Sequence, residues 1–303
     1  MTNKINDFTK KCRVLQGMFR EEINEEMGVG PLRTSETKQI NMIVDGEKTG
    51  KNFVDQFTFM YAKQRVEGKK RNETIDEYRL FNNLLSSQPM AFNLFCPLIE
   101  MLKDGETKLV TRLVSSAFPA LAIGQVTEIE LEYLHTDVEN YLNDRTAMDA
   151  IIRYRDTDDR PCFIAIETKY TDVLGANSAR DTEKQKELIR QLGFFQPSSE
   201  EALLDGRKPI SQIYRNFLLS ECYRIKEGAY ECHSVILSPK DHPTTEEEVN
   251  SLKDELQPRY QYKVQAVSLE DFVERILHAC PPEKASTFLW FKERYLNFEK
   301  LSR

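Results

Sequence analysis

The chain reads as one α/β domain carrying an N-terminal helical region, and three observations predict it. The first is VTEIELEYLH at residues 126–135, where Ile129, Leu131 and Tyr133 alternate with Glu128, Glu130 and Glu132. Alternation with a period of two marks a strand with one buried face. The second is a pair of apolar segments, AMDAIIRY at 147–154 and CFIAIETKY at 162–170, flanking the polar RDTDDRP of residues 155–161. Two β-branched runs around a polar turn predict a hairpin. The third is an amphipathic pattern over residues 210–226, with Ile210, Ile213, Phe217, Leu218 and Ile225 on or near one face, running into the strand CHSVIL at 232–237. The order helix, three strands, helix, strand is that of an α/β fold.

The other elements follow in sequence. Residues 1–80 are mostly helical, with helices expected at 8–26 and 52–65 and a turn-rich stretch at 27–50. GEKTGKN at 46–52 has the look of a phosphate-binding loop, but its glycines are too close and Lys51 is followed by Asn rather than Ser or Thr. That reading is excluded. Residues 75–85 are amphipathic and lead into Ser86-Ser87-Gln88-Pro89, followed by short helices at 92–103 and 108–118. After the hairpin, 178–192 is a polar helix or a mobile segment. Residues 244–256 form an exposed helix whose TTEEE start suits a cap and the helix dipole. A strand at 262–267 and helices at 269–278 and 285–301 complete the chain. Residues 1–85 are therefore expected to form a helical region packed on the core, and 86–303 the domain bearing the sheet and the C-terminal helices. CFIAI is too apolar for an edge and predicts a buried central strand.

Composition bounds the function. With 303 residues, 40% hydrophobic and 30% charged, the chain is an ordinary soluble globular protein able to bury a real core. No apolar run approaches the roughly 20 residues that span a bilayer, and MTNKINDFTKKCR lacks the apolar stretch of a signal peptide. Six scattered cysteines without a CxxC pair point to reduced thiols and a cytoplasmic setting. Four histidines (His135, His233, His242 and His278) show no zinc-site spacing. The net charge of −7 argues against strong non-specific affinity for nucleic acid. A local basic cluster exists at Lys63, Arg65, Lys69, Lys70 and Arg71, which a solvated loop explains as well as a phosphate contact.

The chemistry concentrates in the hairpin. Side-chain alternation puts Glu167 and Lys169 on one face with Thr168 pointing away, and natural hairpin pairing brings Asp149 beside them. Two carboxylates and an ammonium at one sheet edge suit a divalent metal and an attacking water. The same acidic-x-Lys pattern recurs at Glu36-Thr37-Lys38, Glu67-Gly68-Lys69 and Glu106-Thr107-Lys108, but none of these follows an apolar strand.

Asp on the second strand and Glu-x-Lys on the third resemble the PD-(D/E)XK nuclease superfamily, and within it a bacterial family of restriction-endonuclease-like proteins. The resembling stretches are LLSSQPMAFNLFCPL (84–98), DRTAMDAIIRY (144–154), IAIETKYT (164–171) and QIYRNFLLSE (212–221). The proline that often precedes the Asp is Met148 here. The resemblance implies a mixed central sheet flanked by helices, and a Mg²⁺- or Mn²⁺-dependent nuclease. Asp149 and Glu167 would ligate the metal with the backbone carbonyl of Thr168, and Lys169 would orient water or stabilise the transition state. Glu132 is a candidate third carboxylate, on a face with Glu128 and Glu130. Gln88, Gln212 and Arg215 are candidate substrate contacts; Tyr170 and Asn216 are weaker ones. The implied substrate is DNA, cut by an endonuclease of restriction or phage defence, with a homodimer, a partner subunit or an activator as companions. Activity on RNA or on structured or single-stranded DNA stays open as an alternative, as does a silent nuclease fold used for binding.

Overall fold

The computed structural model of the chain describes residues 2–69, 75–135, 137–143, 146–172 and 183–302. Helices α1 (Thr2–Glu22), α2 (Gly46–Thr49), α3 (Gln56–Glu67), α4 (Glu77–Asn82), α5 (Ser87–Lys103) and α6 (Thr107–Ala117) precede the sheet. Strands β1 (Ile123–Tyr133), β2 (Met148–Asp156) and β3 (Pro161–Thr168) form an antiparallel meander. Helices α7 (Glu183–Leu192), α8 (Pro197–Leu204) and α9 (Gln212–Glu227) lead to β4 (Glu231–Ser238), parallel to β3. Then α10 (Thr245–Glu255) leads to β5 (Val264–Ser268), parallel to β4, and α11 (Leu269–Ala279) and α12 (Ser286–Tyr295) follow. The five-stranded sheet runs in the order β1-β2-β3-β4-β5, so CFIAI lies in the central strand. Of the expected helix at 178–192, residues 178–182 lie outside the described residues.

The turn of the β2–β3 hairpin is built by its own acids. Asp156 accepts hydrogen bonds from the N–H groups of Asp158 (3.0 Å) and Arg160 (2.9 Å) and from Arg160 Nε (2.8 Å). Asp159 takes the left-handed backbone at φ 62° that such a turn requires. This closure sets the register of the two strands.

Alternation sorts the strand residues onto two cores. Ala150, Ile152, Ile164, Ile166, Val235 and Leu237 face α5, α6, α11 and α12, together with Phe8 and Cys12 of α1 and Phe59 of α3. Ile151, Phe163, Ala165 and Ile236 face α7, α8, α9 and α10. On α9, Ile225 lies outside the buried face. Helix α5 is apolar nearly all round, as befits a helix enclosed by the core. All six cysteines are free and buried. Among the described residues no helix is long and apolar enough to cross a membrane.

A polar network locks the N- and C-terminal helices onto the end of β3. Arg294, wholly enclosed, donates to Asn52 O (2.7 Å), Asn52 Oδ1 (2.5 Å) and Gln16 Oε1 (3.2 Å). Gln16 Nε2 donates to the hydroxyl of Tyr170 (3.1 Å), which donates to Tyr295 O (3.2 Å). Tyr170 follows Lys169 directly, so this network fixes the chain where β3 ends.

At the opposite end of the sheet, Glu221, Glu231 and Cys232 bring their ligand atoms within 4.8 Å of one another. Lys263 fills the cluster, 2.8 Å from Glu221 Oε1 and paired with Glu231, while Arg224 Nε lies 2.6 Å from Glu221 Oε2. Burial also pushes the Cys232 thiol well up, against the thiolate that a metal would need. This is a structural ion network. Replacing Lys263 with Met should lower unfolding stability by about 3–5 kcal/mol, because two carboxylates lose their buried partner; denaturant melts check it.

Beyond β4, burial pushes the Glu248 carboxyl up to about 7. The folded chain then holds a proton between about pH 4.5 and 7 that the unfolded chain has released, so Glu248 subtracts stability as pH rises through that window. Glu248→Gln should therefore stabilise the protein by about 2 kcal/mol at pH 8 and leave it unchanged at pH 4.5. Equal gains at the two pH values would contradict this assignment.

Candidate active site

Three adjacent strands each deliver one acid to the same end of the sheet. Ala150 pairs with Ile166, which sets Asp149 of β2 level with Glu167 of β3. Leu131 pairs with Ala150 and Tyr133 with Met148, which sets Glu132 of β1 level with Asp149 on its other side. Lys169 lies one residue past β3, its N–H donating to Leu237 O of β4 (2.7 Å). Glu132, Glu167 and Lys169 are buried and Asp149 is half-buried.

Each carboxylate is held by donors from a different element. Lys169 Nζ lies 2.7 Å from Glu167 Oε1. Gln212, the first residue of α9, donates Nε2 to the same oxygen (3.0 Å) and lies 3.4 Å from Lys169 Nζ through its Oε1. Asn216 Nδ2 donates to Glu167 Oε2 (3.0 Å). Four residues apart, Gln212 and Asn216 share one helix face, and the positive end of the α9 dipole adds to their hold. Asp149 Oδ2 accepts from both the N–H and the hydroxyl of Thr168, each at 2.7 Å. Gln88 Nε2, at the start of α5, donates to Glu132 Oε1 (2.8 Å).

The electrostatics follow from three acids and one ammonium in a confined space. Burial, then Glu167 and Glu132 beside it, push the Asp149 carboxyl well above its ordinary range. Burial disfavours a charged Lys169, but Glu167 and Asp149 outweigh it and hold its pKa above the usual lysine value. The site therefore favours added positive charge at Asp149 while keeping Lys169 an ammonium.

Two expectations need correction. Glu132 does not continue the row of Glu128 and Glu130. Those two pair with Arg153 at the surface, whereas Glu132 has φ 51°, which takes it out of strand alternation and into contact with α5. That backbone costs a non-glycine residue about 1–2 kcal/mol. Arg65 steadies the kink, donating to Leu131 O (3.2 Å) and Glu132 O (3.0 Å). Nor does Thr168 point away, since β2–β3 pairing ends at Ala150 and Ile166 and its hydroxyl turns onto Asp149.

The remaining sequence candidates divide. Gln88 and Gln212 reach the carboxylates. The α9 contact beside Gln212 comes from Asn216 rather than Arg215, and the i, i+4 spacing of Gln212 and Asn216 was the available signal. Tyr170 is a buried anchor. In the basic cluster, Arg65 braces β1, Lys63 lies over the Phe59 ring and Lys69 donates to Ile75 O, while Lys70 and Arg71 lie outside the described residues. Sequence reasoning missed Ser87 and Asp172, whose side chains meet at 3.4 Å beside the site.

No curated protein and no solved structure matches the chain. A family profile, described as the PD-(D/E)XK nuclease superfamily, matches residues 4–297. The match takes in the N-terminal helices, the acidic strand ends and α9 together, and by it the chain belongs to the PD-(D/E)XK nuclease superfamily.

Proposed function

We propose that the protein is a nuclease dependent on Mg²⁺ or Mn²⁺ that hydrolyses phosphodiester bonds of DNA. The observation carrying this reading is the meeting of Asp149, Glu167 and Glu132 on adjacent strands with Lys169 2.7 Å from Glu167. The residues fit a hard divalent cation by donor type and by charge. Three carboxylates face one ammonium, and the raised proton affinity of Asp149 marks a place where positive charge is stabilising. Glu167 Oε1 is shared with Lys169 and Gln212, so it would have to exchange part of that contact to ligate a metal. Asp149 and Glu167 would hold the ion with the Thr168 carbonyl, and Glu132 would be the third acid. When bound, the metal supplies an activated water and neutralises charge on the scissile phosphate.

The chain's own groups account for the rest. Thr168 fixes one oxygen of Asp149 with two hydrogen bonds. Gln212 and Asn216 orient Glu167, and Gln88 orients Glu132. Lys169, held charged, stabilises negative charge developing on the phosphate and orients the attacking water. The likeness to restriction-endonuclease-like proteins supports an endonuclease of restriction or phage defence.

The test is cleavage of supercoiled, linear and single-stranded DNA and of RNA with Mg²⁺ or Mn²⁺. Lys169→Ala should lower turnover by about 10²–10³-fold and still bind metal by calorimetry; cleavage equal to the parent would sink the mechanism. Asp149→Asn should abolish cleavage and the Mg²⁺-induced rise in Tm, yet raise the Tm of the metal-free protein, because the amide keeps the Thr168 contacts and removes a repelled charge.

A further inference from the structure

A cavity of about 480 Å³ opens beside the site, between α1, the segment before α2, and the α4–α5 junction. Its lining includes Arg13, Gln39, Asn41 and Arg79, and also Thr171 and Asp172, two and three residues past Lys169. Asp172 ties the cavity to the site, 3.4 Å from the hydroxyl of Ser87, the neighbour of Gln88, and 3.6 Å from Arg79. In a chain of net charge −7 the cavity is lined by two guanidiniums and one carboxylate. Arg13 is half-buried and meets Gln39 Oε1 at 3.5 Å, with no carboxylate paired to it among the described residues. Asn41 is 2% exposed, and its Oδ1 has no hydrogen-bond partner while its Nδ2 donates to Asn83.

These groups match the parts of a nucleotide. A guanidinium without a carboxylate suits a phosphate. Pro31, Leu32 and Leu85 supply an apolar surface for a base. A duplex presents its own wide groove to a protein and does not enter a cavity of this size; an unpaired strand does.

We propose that this cavity binds one or two unpaired nucleotides flanking the scissile bond, with Arg13 and Arg79 on their phosphates and Pro31, Leu32 and Leu85 against a base. The proposal rests on the nuclease reading for its substrate class. It makes the N-terminal region a recognition element that favours a single-stranded flank over a blunt duplex.

The experiment is fluorescence anisotropy with labelled 12-nucleotide single strands and matched duplexes in EDTA, where cleavage is silent. Arg13→Glu with Arg79→Glu should weaken single-strand binding about tenfold or more. The plot of log affinity against log salt should become shallower by about 0.7 for each arginine. Arg259→Ala, ahead of β5 at the other end of the sheet, should bind as the parent does. Because Arg79 also touches Asp172, circular dichroism accompanies each variant. As a second measurement, the unaltered protein is photo-crosslinked to 5-iodouracil strands, with adducts expected in peptides covering residues 9–41 and 79–86.

A parent that cuts DNA while the double variant binds and cuts equally, with adducts elsewhere, would overturn the cavity proposal and leave the nuclease reading standing. Binding that depends on the arginines in a protein that cuts nothing would support the cavity and sink the nuclease. No binding by the parent to any strand overturns the proposal.

Discussion

The register of the β2–β3 hairpin is the constraint on which the rest depends. With Ala150 opposite Ile166, Asp149 stands beside Glu167, and a slip of one residue would turn either acid to the other face. Two features enforce that register from opposite ends. Asp156 closes the turn with backbone and guanidinium donors, and Thr168 clamps Asp149 where strand pairing stops. Apolar alternation between two cores penalises any slip by an odd number of residues as well.

Assembling acids in this way costs stability, and the surrounding elements offset part of it. Amide side chains from α5 and α9 and the Lys169 ammonium satisfy the carboxylate oxygens. They do not balance the charge, since three acids meet a single ammonium there. The contrast with the far end of the sheet is instructive. There Lys263 and Arg224 neutralise Glu221 and Glu231, and the result is a closed ion network. A residual negative charge at one end and none at the other separates an arrangement suited to chemistry from one suited to stability.

Helices far apart in sequence converge on the short segment after β3. Gln16 of α1 and the Tyr295 carbonyl at the end of α12 hold Tyr170, and Ser87 ahead of Gln88 meets Asp172. Lys169 directly precedes these anchors, so the N- and C-terminal helices help to fix its backbone, while Glu167 and Gln212 hold its ammonium. Arg294 joins the same helices through Asn52 and Gln16. The first 85 residues thus contribute both to the core and to the surroundings of the acidic cluster.

Periodicity in the sequence was sufficient for the strands and for most helices, because burial on one face leaves a period that survives without coordinates. It placed the central strand at CFIAI and named Asp149, Glu167 and Lys169, which the structure brings together. Short α2 and α8 escaped it, being too brief to show a period. The sequence also misjudged the facing of Glu132 and Thr168, since alternation assumes a regular backbone, which Glu132 leaves at φ 51°, and a paired neighbour, and the pairing of β3 to β2 ends short of Thr168. Asn216 over Arg215, Gln88 on Glu132 and the cavity by Arg13 depended on how distant elements pack. Local sequence determines which face of an element is apolar; only tertiary packing decides which polar groups meet, because those contacts join residues that no short-range pattern relates.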